Sequence, residues 1–290
     1  MNNKLLIRAI TALNDAGFEV LNHAEQGTFT AIGISHDVKD PVSERRETGP
    51  GPKEFGKGYN FIQSDSVLSR RTEETWDLAG AIDTSDWREA LKSLQQIIRI
   101  GGYSLFNIGD FLHVSFEVPA AEHQGVKFEK LKIENAKVQI VEILPDRVIF
   151  NFDKILFESA INAADTNDGG FMGSALSHYL NAEFNDAMGI SDLLTTNHDG
   201  MNYSLLTAHE LFGKSEYWES KTNWNKGEQI PYFENEKNRI KVLGNETSWY
   251  WTSSPRASSS SIFCYVNYNG NSHDNYASAV GGVAPAFCVA

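Results

Sequence analysis

The sequence predicts an α+β protein, and three observations lead to that fold class. The chain has 290 residues, of which 41% are hydrophobic and 22% are charged, as in ordinary globular proteins. Some stretches place apolar residues at the i, i+3, i+4 spacing of an amphipathic helix. Others, chiefly after residue 103, are rich in Val, Ile and Phe with the partial alternation typical of strands. Both kinds of element therefore occur in a chain long enough to bury a sizeable core.

The first hundred residues are predicted to form a small α/β region. Apolar positions at helical spacing predict a helix over residues 3–16, which ends at Gly17. Strands are predicted over residues 18–20 and 28–34. Residues 38–60 are polar and interrupted by Gly and Pro, so we expect a long loop there.

A second helix closes this region. Asp86 is a suitable N-cap, with Glu89 three residues later, and apolar residues follow at helical spacing. The pair Gly101-Gly102 ends the helix, and we place a domain boundary there, between residues 1–100 and 101–290. The N-terminal region is expected to pack on the second domain or to attach it to a phage tail or a cell-surface assembly.

The second domain is predicted to begin with strands and to contain two helical segments. Strand patterns cover residues 103–106, 111–118, 131–143 and 147–152. Helical spacing returns over residues 171–185, and residues 208–212 indicate a single helical turn. From Trp249 onward the pattern predicts strands and loops alone.

The charge distribution sets the C-terminal segment apart. The net charge of −13 argues against nucleic acid as a partner, because phosphate binding needs a basic face. Residues 252–290 carry only two charges, Arg256 and Asp274, and contain no Lys, Glu, Gln, Met, Leu or Trp. Lys, Glu, Gln, Met and Trp together occupy 54 of the first 251 positions. Their absence is therefore a property of this segment and not of the whole chain.

The sequence predicts neither a membrane span nor a signal peptide. No apolar stretch reaches 18 residues, and Lys4 precedes any long apolar run. We therefore expect a cytoplasmic or virion-associated protein.

Motifs of the common enzyme classes are incomplete in this chain. His209-Glu210 would suit a zinc protease, but Gly213 stands where the second His is required. The acidic and amide residues of 165–168 and 197–202 lack the spacing of a calcium loop, which favours solvated turns. We therefore predict a non-enzymatic protein and assign no catalytic residue, metal ligand or cofactor.

The C-terminal segment resembles the end of a bacterial and phage domain with a C-type lectin-like fold. Three stretches of the sequence carry this resemblance, namely Trp251-Thr252-Ser253-Ser254-Pro255, Tyr265-Val266-Asn267 and Gly282-Val283-Ala284-Pro285-Ala286. Earlier marks of that family are Gly169-Gly170-Phe171, the helix-like 176–184 and Leu206-Thr207-Ala208-His209-Glu210-Leu211-Phe212-Gly213. The resemblance covers about residues 100–290, with Ala284 where Arg is usual and Leu206 where Pro is usual.

Within that family the composition resembles the variable proteins of diversity-generating retroelements. There, adenines of a template are randomised during copying, and a randomised AAY codon cannot encode Lys, Glu, Gln, Met or Trp. Those five residue types are the ones missing after residue 251, in a variable region of about residues 249–290. Ser, Asn, Tyr, Gly and His are also the residues that dominate recognition surfaces.

The resemblance implies a receptor-type protein whose C-terminal β-ribbon displays a variable surface to an unknown protein or glycan. Scaffold residues are predicted to be Trp249, Trp251, Val266, Val283 and Phe287. Alternation predicts that Ile262, Cys264 and Val266 face the core while Phe263, Tyr265 and Asn267 face solvent. The predicted ligand-binding residues are Tyr250, Thr252, Arg256, Ser258, Ser259, Ser261, Phe263, Tyr265, Tyr268, Asn271, His273, Asp274 and Tyr276.

Two alternatives remain at the level of sequence. One is a lectin-like binding or architectural module of a phage or bacterium that has never been diversified. The other is an oxidase of the formylglycine-generating type, which shares the broader fold. The copper-binding cysteines of those oxidases lie close together, whereas Cys264 and Cys288 are 24 positions apart in strand-like contexts. These two cysteines are therefore expected to be reduced core residues.

Overall fold

The structure is a computed structural model that describes residues 18–23, 28–33, 75, 77–79, 85–99, 106–213 and 229–290. The chain divides into two compact units, residues 1–110 and 111–290. Several sequence predictions lie outside the described residues, namely the helix over 3–16, the loop over 38–60, the boundary at 100–101 and most of the strand over 103–106.

In the first unit, two predicted strands and one predicted helix are confirmed. Strands β1 (Phe18–His23) and β2 (Thr28–Gly33) form an antiparallel pair. Helix α1 (Trp87–Arg99) begins after Asp86, whose carboxylate accepts a hydrogen bond of 2.9 Å from the Arg88 backbone N–H. The apolar face that predicted this helix is buried.

The second unit is built on two sheets. The first is antiparallel, and its main strands are β3 (Phe111–Val118), β6 (Leu131–Leu144), β7 (Arg147–Phe152) and β17 (Ala286–Val289), with the short strands β9 (Leu194–Thr195) and β10 (Tyr203–Ser204) on β17. Strand β17 lies between β7 and the two short strands, and all four of its residues are buried. The last strand of the chain is therefore part of the core.

The second sheet holds most of the C-terminal segment. Its strand order is β15 (Ser272–Tyr276), β14 (Ile262–Val266), β13 (Tyr250–Pro255), β16 (Gly281–Val283) and β8 (Phe157–Ser159). Strands β13 and β16 are parallel, and the other neighbours are antiparallel. Two hairpins complete the strands, formed by β4 (Ala121–His123) with β5 (Val126–Phe128) and by β11 (Lys241–Leu243) with β12 (Glu246–Ser248).

The helical segments are short and capped. Helix α2 (Ala175–Tyr179) continues through a π-helical turn (Leu180–Phe184) into α3 (Asn185–Met188). It begins at residue 175 and not at 171 as predicted, because the preceding residues form turns and Ser174 supplies the N-cap.

Helix α4 (Ala208–Phe212) has the predicted bounds and starts with a capping box between Thr207 and Glu210. The described residues also form three 3₁₀ turns, at Ser191–Leu193, Pro231–Glu234 and Glu236–Arg239. Helices and largely antiparallel sheets thus share one unit, which confirms the α+β class. No helix in the described part of the chain is long and apolar enough to cross a membrane.

Candidate functional site

The C-terminal segment folds as a three-stranded antiparallel ribbon of β13, β14 and β15, which we call the C-terminal ribbon (residues 250–276). Strand β15 is an edge of its sheet, and β13 is covered on its other side by β16. After β16 the chain crosses into the first sheet as β17. The ribbon therefore has a fixed inner side and one free edge.

The scaffold predictions hold for four of five residues. Trp251, Val266, Val283 and Phe287 are fully or almost fully buried. Trp249 is half-buried, and its ring lies over Gly281. The Trp251 indole N–H donates a hydrogen bond of 3.0 Å to the Ser159 carbonyl, so the polar atom of this buried ring has a partner.

Three residues predicted to be displayed are instead part of the interior, namely Tyr250, Thr252 and Phe263. The Tyr250 hydroxyl donates to the Arg239 carbonyl at 2.7 Å, and burial raises the pKa of this tyrosine. The Thr252 hydroxyl donates to the Cys264 carbonyl at 3.0 Å. Phe263 is fully buried. These side chains are not available to a ligand on the ribbon surface.

Strand β13 contains a bulge. Trp251 faces Tyr265 and Pro255 faces Phe263, so the three β13 residues 252–254 lie opposite the single residue Cys264. The pairing of β14 with β15 is continuous, so Phe263 lies on the same side of the sheet as Tyr265. The predicted alternation of burial is wrong because Phe263 and Cys264, on opposite sides of β14, are both fully buried, and Ile262 is only partly buried.

The bulge also attaches the ribbon to the start of helix α4. The Ser253 backbone N–H donates to the Leu206 carbonyl at 3.1 Å. The Ser254 hydroxyl accepts from the Ala208 backbone N–H at 2.9 Å, and this serine is buried. Ser253, through its backbone, and Ser254, through its hydroxyl, thus fix β13 in place.

The other ten predicted residues lie at the surface. Ser258, Tyr268, Asn271, His273 and Tyr276 are exposed, and Arg256, Ser259, Ser261, Tyr265 and Asp274 are partly exposed. The described residues include four exposed large hydrophobic side chains, and three of them, Tyr268, Tyr276 and Val280, fall within 13 consecutive residues. Tyr268 lies in the turn between β14 and β15, whereas Tyr276, the last residue of β15, is opposite Ile262, so exposed aromatic rings occur at both ends of this hairpin.

The two charges of the segment neutralise each other. Arg256 follows β13, and its guanidinium forms an ion pair with the carboxylate of Asp274 in β15. The Arg256 Nε–H also donates to the Ser258 hydroxyl at 3.2 Å. The ribbon surface therefore presents aromatic, hydroxyl and amide groups without net charge.

Aromatic rings form a row across the ribbon. Trp251, Tyr265 and His273 are opposite one another on three adjacent strands. The Tyr265 and His273 rings are stacked with centroids 5.3 Å apart, and the Trp249 ring lies 4.6 Å from that of Tyr265. Burial raises the pKa of Tyr265, so its hydroxyl stays protonated at neutral pH and can donate a hydrogen bond.

The free edge of β15 is partly closed to strand addition. The Asp274 backbone N–H donates to His273 Nδ1 at 2.8 Å, and the Tyr276 backbone N–H donates to Asn275 Oδ1 at 2.9 Å. Two backbone donors that an incoming strand would use are thus already occupied by side chains. A ligand at this edge would therefore be bound by side chains more than by backbone pairing.

The loop before helix α2 supports the ribbon from outside the C-terminal segment. The Asn167 side-chain amide donates to the Ser259 carbonyl at 2.7 Å and to the Ile262 carbonyl at 3.1 Å. The Asn167 backbone N–H donates to the Ser260 carbonyl at 2.8 Å. The sequence analysis missed this role, because the partners lie more than 90 positions away and no local pattern marks them.

We expect Asn167→Ala to destabilise the protein by about 1–2 kcal/mol, because the Ser259 carbonyl after β13 and the Ile262 carbonyl at the start of β14 lose the side-chain amide of Asn167 as a donor. Urea denaturation of the full chain measures this loss. Asn269→Ala is a matched control, since Asn269 is exposed and its side chain makes no hydrogen bond with the described residues. Equal stability of the two variants would contradict the supporting role of Asn167.

Neither cysteine offers reactive chemistry at the surface. Cys264 in β14 and Cys288 in β17 are free and buried, as the sequence analysis expected. Burial raises the pKa of the Cys288 thiol, which keeps it protonated and unreactive. Among the described residues, no group of three or more His, Cys, Asp or Glu side chains is arranged to hold a metal ion.

Comparison with known proteins gives one match. Residues 199–290 match the sequence model of a family described as a domain of unknown function, DUF6273. The matched part contains helix α4, the C-terminal ribbon and the closing strands β16 and β17. No curated protein and no solved structure matches the chain.

Proposed function

We propose that this protein is a non-enzymatic receptor whose ligand contacts the exposed side of the C-terminal ribbon, within a C-type lectin-like domain of residues 101–290. The observation that carries the proposal is that ten predicted side chains of the ribbon lie at the surface without net charge, with the well-exposed rings of Tyr268 and Tyr276 among them. Rigid aromatic side chains are effective anchors, and neighbouring Ser and Asn groups add hydrogen bonds that adapt to the ligand.

We further propose that a retroelement diversifies this surface by adenine mutagenesis. The ten predicted residues that lie at the surface are all of types that a randomised AAY codon encodes. The strands beneath them are held by buried side chains and by hydrogen bonds from outside the ribbon. Such a division supports a surface whose residues can change while the fold stays the same.

Sequencing the DNA that flanks the gene tests the mechanism. We expect a near-identical template repeat beside a reverse transcriptase gene, with differences confined to template adenines. The differences should fall in codons of exposed residues such as Ser258, Tyr268 and His273, and should spare those of Thr252 and Phe263. A flanking region with neither a template repeat nor a reverse transcriptase gene would contradict diversification and favour the alternative of an undiversified binding module.

The oxidase alternative has less support. Its chemistry needs two neighbouring reactive thiols, whereas Cys264 and Cys288 are buried in strands of different sheets. A Cys264→Ser variant separates the cases, since an oxidase of this type would lose its activity on thiols and a receptor would keep its binding.

A further inference from the structure

A buried lysine lies in direct contact with a buried asparagine between the two sheets of the second unit. Lys241, the first residue of β11, is 3% exposed, and Asn151 in β7 is 2% exposed. The Lys241 Nζ donates to Asn151 Oδ1 at 2.7 Å and also to the Phe152 carbonyl. Neither the sequence motifs nor the proposed receptor function accounts for this pair.

The asparagine amide is fixed in one orientation. Its Nδ2 donates to the Ala284 carbonyl at 3.1 Å and to the Pro285 carbonyl at 2.9 Å. Oδ1 is thereby directed toward the lysine, and the amide carbon Cγ lies one bond beyond the atom that Nζ contacts. The amine and the amide carbon are held close together by groups on two strands, β7 and β11, and on the connection between β16 and β17.

The charge of a nearby carboxylate, Asp153, acts on Lys241. Asp153 follows Asn151 by two positions and is partly exposed, but its Oδ1 is buried with no hydrogen-bond partner among the described residues. The Ile155 backbone N–H donates to the Val242 carbonyl at 3.0 Å, which holds the segment after β7 against β11. A buried oxygen without a partner calls for an explanation, and Asp153 is therefore the candidate proton acceptor for this pair.

The surroundings favour the neutral amine. Burial lowers the pKa of Lys241 to about 7, although the charge of Asp153 opposes this shift. The Tyr250 ring centroid lies 5.6 Å from Nζ and favours the charged form, but a pKa of about 7 still leaves a substantial fraction of neutral amine at neutral pH. A neutral amine is a nucleophile, whereas an ammonium is not.

We propose that Lys241 and Asn151 react to form an intramolecular amide cross-link between β11 and β7. The Nζ lone pair attacks Cγ, the Nζ–Cγ bond forms, and the Cγ–Nδ2 bond breaks to release ammonia. The nitrogen that attacks gives up one proton, which the Asp153 carboxylate accepts and then delivers to the leaving nitrogen. An amine and a primary amide thus become a secondary amide and ammonia, with no change in oxidation state and Asp153 regenerated.

The cross-link would join residues 90 positions apart in the chain. It would tie the segment that precedes the C-terminal ribbon to the first sheet, below the surface assigned to the ligand. This inference does not depend on the proposed receptor function, since it concerns buried groups alone.

Intact-mass spectrometry of the denatured full-length protein tests the proposal. We expect the wild type to be lighter than its sequence by the mass of one ammonia molecule, and Lys241→Met to show no loss at this pair. A succinimide formed at Asn269-Gly270 would cause the same loss of mass. The protein must therefore also be digested with a protease, and the peptides must be fragmented in the mass spectrometer to locate the modified residues. The expected product is a branched peptide that joins Lys241 to Asn151.

Two outcomes would overturn the proposal. One is a wild-type protein, folded at neutral pH and incubated for days, that retains its full sequence mass. The other is a mass loss that fragmentation assigns to another site. Asp153→Asn, checked for folding by circular dichroism, should slow cross-linking at least tenfold, and an unchanged rate would remove Asp153 from the mechanism.

Discussion

Replacing Gly282 by alanine is expected to lower the free energy of unfolding by about 3 kcal/mol, the upper part of the range for overpacking a tight core. Gly282 lies in β16, opposite Tyr250 on one side and Glu158 on the other. An added Cβ would stand 2.7 Å from the Trp249 carbonyl oxygen and 2.8 Å from Ile155 Cδ1. Backbone cannot move aside as a flexible side chain can, so the parallel pairing of β13 and β16 would have to open.

Chemical denaturation of the full chain, followed by tryptophan fluorescence, measures this effect. Gly244→Ala is the matched control, since Gly244 has φ +63° and nothing within 4 Å of an added Cβ. It should cost about 1 kcal/mol, the penalty of left-handed backbone alone. If Gly282→Ala were no more harmful than this control, the close approach of β13 and β16 would be wrong.

The neighbouring glycine links this packing to the candidate surface. A Cβ at Gly281 would lie 2.3 Å from Trp249 Cζ3, so the ring now resting on this glycine would be displaced. Trp249 also contacts Tyr265, which is part of the aromatic row across the ribbon. Close packing therefore requires both Gly281 and Gly282. Only Gly282 belongs to the closing motif of the family resemblance, and that motif alone does not explain why a glycine is needed there.

Regular elements were predictable where burial leaves a local pattern in the sequence. Strand β3 has the predicted bounds because buried and exposed residues alternate along it. Strand β7 also has the predicted bounds, although five of its six residues are buried, because it is rich in Val, Ile and Phe. Helix α4 could be placed because Thr207 and Glu210 form a local capping signal. These are features in which residues close in sequence determine the structure.

The candidate surface was predicted less well, because its geometry depends on distant contacts. Phe263 was predicted to be exposed because it alternates with Cys264, but both residues are fully buried, and the sequence does not show where a strand is covered on both sides. Asn167 reads as part of a polar turn, although it donates to carbonyls more than 90 positions away. The contact of Lys241 with Asn151 likewise arises from the packing of two strands that the sequence keeps far apart.

If the exposed residues of the ribbon can vary freely, the stability of the fold must come from the buried residues beneath them. Trp251→Ala should lower the free energy of unfolding by about 3–5 kcal/mol, because the side chain is 1% exposed and its removal leaves a large cavity. The loss also leaves the Ser159 carbonyl without its indole donor. Phe263→Ala, at a position that the sequence analysis took for surface, should fall in the same range because this ring is fully buried.

The matched control is a variant in which Tyr268, His273 and Tyr276 are all replaced by alanine. Tyr268 is 60% and Tyr276 54% exposed, so each replacement should change stability by no more than about 0.5 kcal/mol. The triple variant should therefore unfold within about 1.5 kcal/mol of the wild type, while Phe263→Ala alone loses more. A triple variant as unstable as Phe263→Ala would mean that the exposed residues help to hold the fold, and a surface of that kind could not be varied without loss of the protein. Retained stability would instead separate the residues that build the ribbon from those left free to meet a ligand.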